Sequence, residues 1–178
     1  MACVDRSRGV VYDRAMPEQM PDPTAADREW MRECLGEAQA GERAGEVPVG
    51  AVVVVAGRVV GRGHNQPIAA HDPSAHAEIV ALRAAGAALG NYRIVDGELF
   101  VTVEPCLMCV GAIVQARLRR VIYGCADPKA GALGGWFDVT RQGGLNHHFA
   151  VTGGVLADEA RSQLQRFFKE RRATSPSA

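Results

Sequence analysis

The chain has 178 residues, 47% of them hydrophobic, enough for one domain with a substantial buried core. Its 20 Lys and Arg balance 20 Asp and Glu, which argues against a protein that coats polyanions indiscriminately and leaves room for a local basic face. No apolar run approaches the roughly 20 residues of a membrane-spanning helix, and Val10 and Val11 stand among polar residues where a secretory signal would be apolar, so a cytoplasmic protein is expected.

Residues 1–24 carry three prolines, scattered charges and no apolar period, and read as a flexible leader; Met16 and Met20 leave later translation starts open. From Asp27 the pattern changes. Met31, Cys34, Leu35 and Ala38 fall at i, i+3, i+4 and i+7, one face of an amphipathic helix that Gly41 and Gly45 end. Val47 to Val55 is rich in β-branched residues and reads as a strand, with Ala56-Gly57 as the turn and Arg58 to Gly63 as the returning strand of a hairpin. A loop with Asn65 and Pro67 leads to a helix over Ala75–Leu89. Leu99–Val103 is a strand, Leu107–Ala116 a helix and Arg120–Tyr123 a strand.

A glycine-rich loop through Gly144 follows, then a short strand near Phe149–Thr152. A last helix over Ala157–Arg172 has Leu156, Ala160, Leu164, Phe167 and Phe168 on one side, and residues 173–178 read as a disordered tail. Strands alternating with helices predict an α/β fold, a mixed sheet covered on both faces. The expected organisation is therefore a leader (1–24), one domain (25–172) and a tail.

The cysteines are Cys3, Cys34, Cys106, Cys109 and Cys125, an odd number that suits a reducing compartment rather than a disulfide framework. Cys34 and Cys125 lie in apolar stretches and read as small core residues. Cys106 and Cys109 differ. In Pro105-Cys106-Leu107-Met108-Cys109 the two sulfurs are i, i+3 at the first turn of a helix, on one side, where the helix N-terminus favours thiolates.

The second motif is His76-Ala77-Glu78, at a helix start that Ser74 or Asp72 can cap. One imidazole and two thiolates match Zn²⁺ with three protein ligands and a fourth position open for water. Glu78 is then the acid/base, able to take a proton from water and pass it to a ring nitrogen and a departing amine. Either motif alone is weak, since a lone His is usually a satisfied residue and a lone C-x-x-C is often redox-active or coincidental. Together, H-x-E followed by P-C-x-x-C is the pattern of zinc deaminases.

The flanking segments narrow the resemblance. Glu46-Val-Pro-Val-Gly-Ala, Asn65-Gln-Pro-Ile, His71-Asp-Pro-Ser-Ala-His-Ala-Glu-Ile, Asn91-Tyr-Arg, Glu104-Pro-Cys-Leu-Met-Cys and Leu156-Ala-Asp-Glu resemble the bacterial tRNA-specific adenosine deaminases over about residues 28–172. That resemblance implies a cytidine deaminase-like, three-layer α/β/α fold with a five-stranded mixed sheet. It implies conversion of the wobble adenosine (position 34) of a tRNA anticodon loop to inosine. It makes His76, Cys106 and Cys109 the ligands of one Zn²⁺ per subunit, Glu78 the proton shuttle and Asn65 a base contact. Val49 would line the base pocket, Asp127 and Lys129 would lie near the RNA backbone, and the enzyme would be a homodimer.

From the residues alone, Asn65 also reads as a turn residue, Val49 as a strand residue, and Asp127 and Lys129 as a polar turn around Pro128. Gly134-Gly135-Trp136-Phe137 is bulkier than the resemblance leads one to expect. For the tRNA anticodon stem-loop as partner, the candidate cations are Arg117, Arg119 and Arg120 after one helix, and Arg166, Lys169, Arg171 and Arg172 in the last one. These also read as ordinary solvated helix ends. The Phe167-Phe168 pair either packs in the core or touches flanking bases. Two rival functions are a deaminase of free bases or nucleosides such as guanine or cytosine, and an inactive zinc- or RNA-binding module.

Overall fold

Thr24 opens the first helix, α1 (Ala25–Arg43), with a capping box: its hydroxyl accepts from Asp27 N–H, and the Asp27 carboxylate accepts from Thr24 N–H. The helix thus starts two residues before the apolar period becomes legible. The computed structural model describes residues 22–142 and 145–174. The expected leader lies outside these apart from Asp22–Thr24, as do Gly143, Gly144 and residues 175–178.

Valine-rich β1 (Gly50–Val55) turns through Ala56-Gly57 into antiparallel β2 (Arg58–His64). The predicted strand at Val47 begins only at Gly50. A one-turn helix, α2 (Pro67–Ala70), stands where a loop was expected. Four residues are too few to show a period, and the turn is held by Glu46, whose buried carboxylate accepts from Ala69 N–H at 2.8 Å.

There follow α3 (Ala77–Leu89), β3 (Glu98–Val103), α4 (Leu107–Ala116), β4 (Arg120–Cys125), β5 (Ala150–Thr152) and α5 (Ala157–Thr174). The last helix continues past the expected end at Arg172, into the segment read as a tail.

The strands form one five-stranded sheet in the order β2-β1-β3-β4-β5. β1 is antiparallel to both β2 and β3, while β3, β4 and β5 run parallel. This is the mixed sheet that the alternation of elements predicts. Period-two side chains divide the core between its faces. Ala51, Val53, Leu99, Val101, Val121 and Tyr123 meet α3 and α4, while Val52, Val54, Phe100 and Ile122 meet Met31 and Cys34 of α1. The result is three layers, α/β/α. Each large apolar side chain fully buried here is worth about 1.5–3 kcal/mol, more than exposed ion pairs such as Arg161–Asp158 contribute.

Cys34 and Cys125 are buried, as predicted. On α5, Ala160 and Phe167 are buried, but Phe168 is 43% exposed and only meets the Phe167 ring edge-on. Phe168 is therefore a surface residue and not part of the predicted apolar side.

Two glycines decide how closely α3 lies on the sheet. A Cβ at Gly61 would stand 2.3 Å from Ala81 O, and one at Gly63 2.7 Å from Ala77 O. Their absence lets the first turn of α3 sit directly over β2, which sets the position of His76 and Glu78. Among the described residues, no helix is long and apolar enough to cross a membrane.

Candidate metal centre and active site

Two helix N-termini converge on one point. His76 is the N-cap of α3 and Cys106 the N-cap of α4, both in extended backbone and neither making a side-chain capping bond. Their side chains are thereby free to face each other, and Cys109 joins them from the first turn of α4. The expected caps Ser74 and Asp72 do not cap α3. Asp72 Oδ1 instead accepts from the Ser74 N–H and hydroxyl, closing a turn upstream. The first amide of α3, Ala77 N–H, donates to Asn65 Oδ1 at 2.9 Å.

His76 Nδ1 lies 3.7 Å from Cys106 Sγ and 3.6 Å from Cys109 Sγ, and the sulfurs are 3.7 Å apart. A tetrahedral zinc ion, with bonds of about 2.3 Å to sulfur and about 2.0 Å to nitrogen, separates its ligands by about 3.8 Å (S to S) and about 3.5 Å (S to N). The three side chains fit that ion without rearrangement. Among the described residues they are the one His/Cys/Asp/Glu group arranged to hold a metal. Cys106 and His76 are half-buried and Cys109 fully buried, so one side of the triangle stays open.

The electrostatics suit a cation. The hydrogen bond with the Cys109 sulfur and the His76 ring hold the Cys106 thiol down to about 3. The same shared bond, with burial, pushes Cys109 upward. A divalent ion binds both sulfurs as thiolates and displaces the protons they hold. His76 is raised by its bond to Cys106. Glu78, on the second residue of α3, is buried and touches Cys109; burial lifts its carboxyl above the ordinary carboxylate range. A carboxyl raised toward neutrality serves as both base and acid.

Asn65 and Val49 meet here too. Asn65 N–H donates to Val49 O at 3.1 Å, so the residue before β1 and the residue after β2 are paired beside the start of α3, with Val49 half-buried. Asp127 and Lys129 occupy the loop after β4. Asp127 Oδ1 accepts from Lys129 and Ala130 N–H, so its carboxylate shapes the turn around Pro128, and Lys129 is exposed. The loop adjoins the metal site through a backbone bridge between Cys106 and Gly131. Trp136 and Phe137, at its tip, are exposed.

The candidate cations are mostly engaged. Arg120 forms a bidentate pair with Asp27 at 2.9 Å and is largely buried, so it is a structural residue and not an RNA contact. Arg119 pairs with Glu98 and Arg166 with Glu42. Arg117 donates to Asn146 O, and Arg171 donates to Gly45 O and lies over the Phe167 ring.

One residue received no role from sequence reasoning: Glu104, buried at the end of β3, whose carboxylate accepts three backbone N–H groups of the Asp127–Gly135 loop. The only sequence signal was an acidic residue closing an apolar strand directly before Pro-Cys.

Residues 24–125 match the cytidine and deoxycytidylate deaminase zinc-binding region. A tRNA-specific adenosine deaminase of Haemophilus influenzae is 45% identical over 147 residues, which cover 82% of this chain and 85% of that protein. The chain belongs to the tRNA-specific adenosine deaminase family. The Bacillus subtilis tRNA-specific adenosine deaminase is 39% identical over 152 residues, 85% of this chain and 94% of that one.

Among solved structures, one from a study of A-to-I editing by tRNA:A34 deaminases at the wobble position of transfer RNA has a TM-score of 0.73 at 40% identity, covering 76% of this chain and 99% of that one. Guanine deaminase from Nitrosomonas europaea reaches a TM-score of 0.69 at 28% identity, over 83% of this chain and 87% of that one. The present deaminase thus has the fold and the metal-binding pattern of its family.

Proposed function

We propose that this deaminase, over residues 25–172, converts the wobble adenosine of a tRNA anticodon loop to inosine, with one Zn²⁺ per subunit held by His76, Cys106 and Cys109. The observation that carries the reading is the tetrahedral spacing of those three donors with the buried Glu78 carboxyl against them. Zinc bound there supplies a Lewis acid that makes water nucleophilic near neutral pH. Glu78 takes one proton from the attacking water and gives it to the ring nitrogen; it then carries the second, from the hydroxyl added to the ring carbon, to the departing amine, so adenosine and water become inosine and ammonia.

Asn65 Nδ2 faces no hydrogen-bond acceptor among the described residues and can donate to the purine edge. Val49 closes the pocket beside it, and Asp127 and Lys129 meet the RNA backbone. An anticodon loop already presents unpaired, splayed bases, which removes most of the cost of extruding the target. The substrate places the enzyme in the cytoplasm.

The homodimer is supported by a groove of about 590 Å³ between α3 and α4, lined by Ile79, Leu82, Ala87, Tyr92, Ala112 and Ala116. Its apolar character and the exposed Tyr92 on its border suit a second subunit.

The test is inosine formation on an anticodon stem-loop, read by sequencing as A-to-G, alongside release of ammonia from free adenosine, cytidine and guanine. Turnover of the stem-loop alone, abolished in Glu78→Ala with zinc retained, is the expected result. Turnover confined to free bases would establish the rival reading, and full activity of Glu78→Ala would overturn the assigned proton shuttle.

A further inference from the structure

We propose that Glu104 is a positioning residue of this deaminase: it locks the loop that carries Asp127 and Lys129 to the strand end that carries Cys106, so that metal and RNA-facing loop form one rigid unit. The inference deepens the proposed function and rests on its placement of RNA at this loop.

Glu104 Oε2 accepts from Asp127 N–H at 3.0 Å, and Oε1 accepts from Leu133 and Gly135 N–H at 2.8 Å each. These donors come from 23, 29 and 31 residues away along the chain, from both limbs of the loop. Ala132 and Leu133 are buried in the core layer of α3 and α4 and anchor one stretch of the loop. That short apolar anchor leaves the backbone on either side of it to pivot; bonds from one carboxylate to Asp127 on one side and Gly135 on the other remove that freedom.

The backbone continues the same connection to the metal site. Ala132 N–H donates to Pro105 O, and Gly131 bridges to Cys106. The loop is also shaped to admit the carboxylate. A Cβ at Gly131 would lie 2.5 Å from Glu104 Oε2, and one at Gly135 only 2.3 Å from it. Two side chains are missing where the carboxylate needs space. A glutamine in place of Glu104 would turn an N–H₂ donor toward one of three N–H donors, so the neutral isostere breaks the clamp with little change in volume.

Apolar burial holds the loop at Ala132 and Leu133, whereas Asp127 and Gly135 on either side are held by the carboxylate, and Asp127 with Lys129 is the part proposed to meet substrate. Three variants test the idea in the zinc-loaded enzyme with an anticodon stem-loop: Glu104→Gln, Asp127→Ala and their combination. Gly135→Ala serves as a second route, since it displaces the loop and leaves the carboxylate in place.

Zinc content is expected to stay at the wild-type level in Glu104→Gln and Gly135→Ala. KM is expected to rise about tenfold with kcat nearly unchanged, the scale of a slightly misplaced binding element. In the combined variant the two losses should fall well short of multiplying, because both act through the same turn. An unchanged KM, multiplying losses or lost zinc would each overturn the proposal.

If wild-type enzyme leaves the stem-loop untouched, the proposed substrate fails and the clamp is judged by amide hydrogen exchange. Exchange at Asp127, Leu133 and Gly135 must then accelerate in Glu104→Gln, and unchanged rates would overturn the clamp itself.

Discussion

Asn65 has two side-chain functions that one substitution can separate. Its Oδ1 caps α3 through Ala77 N–H, and its Nδ2 is the group proposed to meet the substrate. Asn65→Asp keeps the capping oxygen and removes the donor. It should leave thermal stability nearly intact and lower kcat/KM about thirtyfold, the scale of one buried hydrogen bond whose partner is left unpaired. Asn65→Ala should in addition lose about 1 kcal/mol of stability with the cap. Wild-type kcat/KM in Asn65→Asp would reduce Asn65 to the turn residue that its position before Gln66-Pro67 also suggests. That His76, Cys106 and Cys109 come together was legible in the sequence because the H-x-E and P-C-x-x-C spacings are local and their chemistry specific. Glu104 was not legible, since its partners are backbone amides brought back by a loop, and no residue type advertises a backbone amide.

At the scale of elements, α4 coincides with its predicted bounds because Leu107–Ala116 is bracketed by Cys106 and by Arg117 in the left-handed conformation that ends the helix. The start of α1 was missed although Thr24-Ala-Ala-Asp27 spells a capping box; the prolines before it masked the signal.

Asp27 then does more than cap. With Arg120 and Thr152 it ties α1 to β4 and β5. Burial pushes the Asp27 carboxyl up, but the Arg120 bonds and the Thr24 amide outweigh it and hold the group below the ordinary 3.8. A carboxylate with a depressed folded-state pKa stabilises above its unfolded value and loses that contribution as pH falls through the folded one. Asp27→Asn should therefore cost about 3 kcal/mol at pH 7, as for a broken, largely buried ion pair. The difference from wild type in urea unfolding should shrink below pH 3.8. A gap that is constant with pH would show that packing, not charge, holds this joint.

For the whole molecule, five strands and a mixed sheet could be read from the alternation of periods, but the order β2-β1-β3-β4-β5 could not, because pairing depends on crossovers that leave no local trace. Net neutrality likewise hid the fate of the candidate cations, of which Arg119, Arg120 and Arg166 pair with carboxylates of this chain. The groove between α3 and α4 is a further feature that the sequence did not announce. Tyr92, two-thirds exposed on its border, should be covered in the proposed dimer. Tyr92→Asp should shift sedimentation from twice the chain mass toward a single chain while zinc is retained. A wild-type protein that sediments as one chain would remove the dimer from the account.

The central claim is the ligand set. X-ray absorption at the zinc edge measures it directly, and should find two sulfurs at about 2.3 Å and lighter ligands at about 2.0 Å, with one zinc per chain. Cys109→Ser should leave one sulfur. A wild-type spectrum without sulfur, or with four, would contradict a centre built from His76, Cys106 and Cys109.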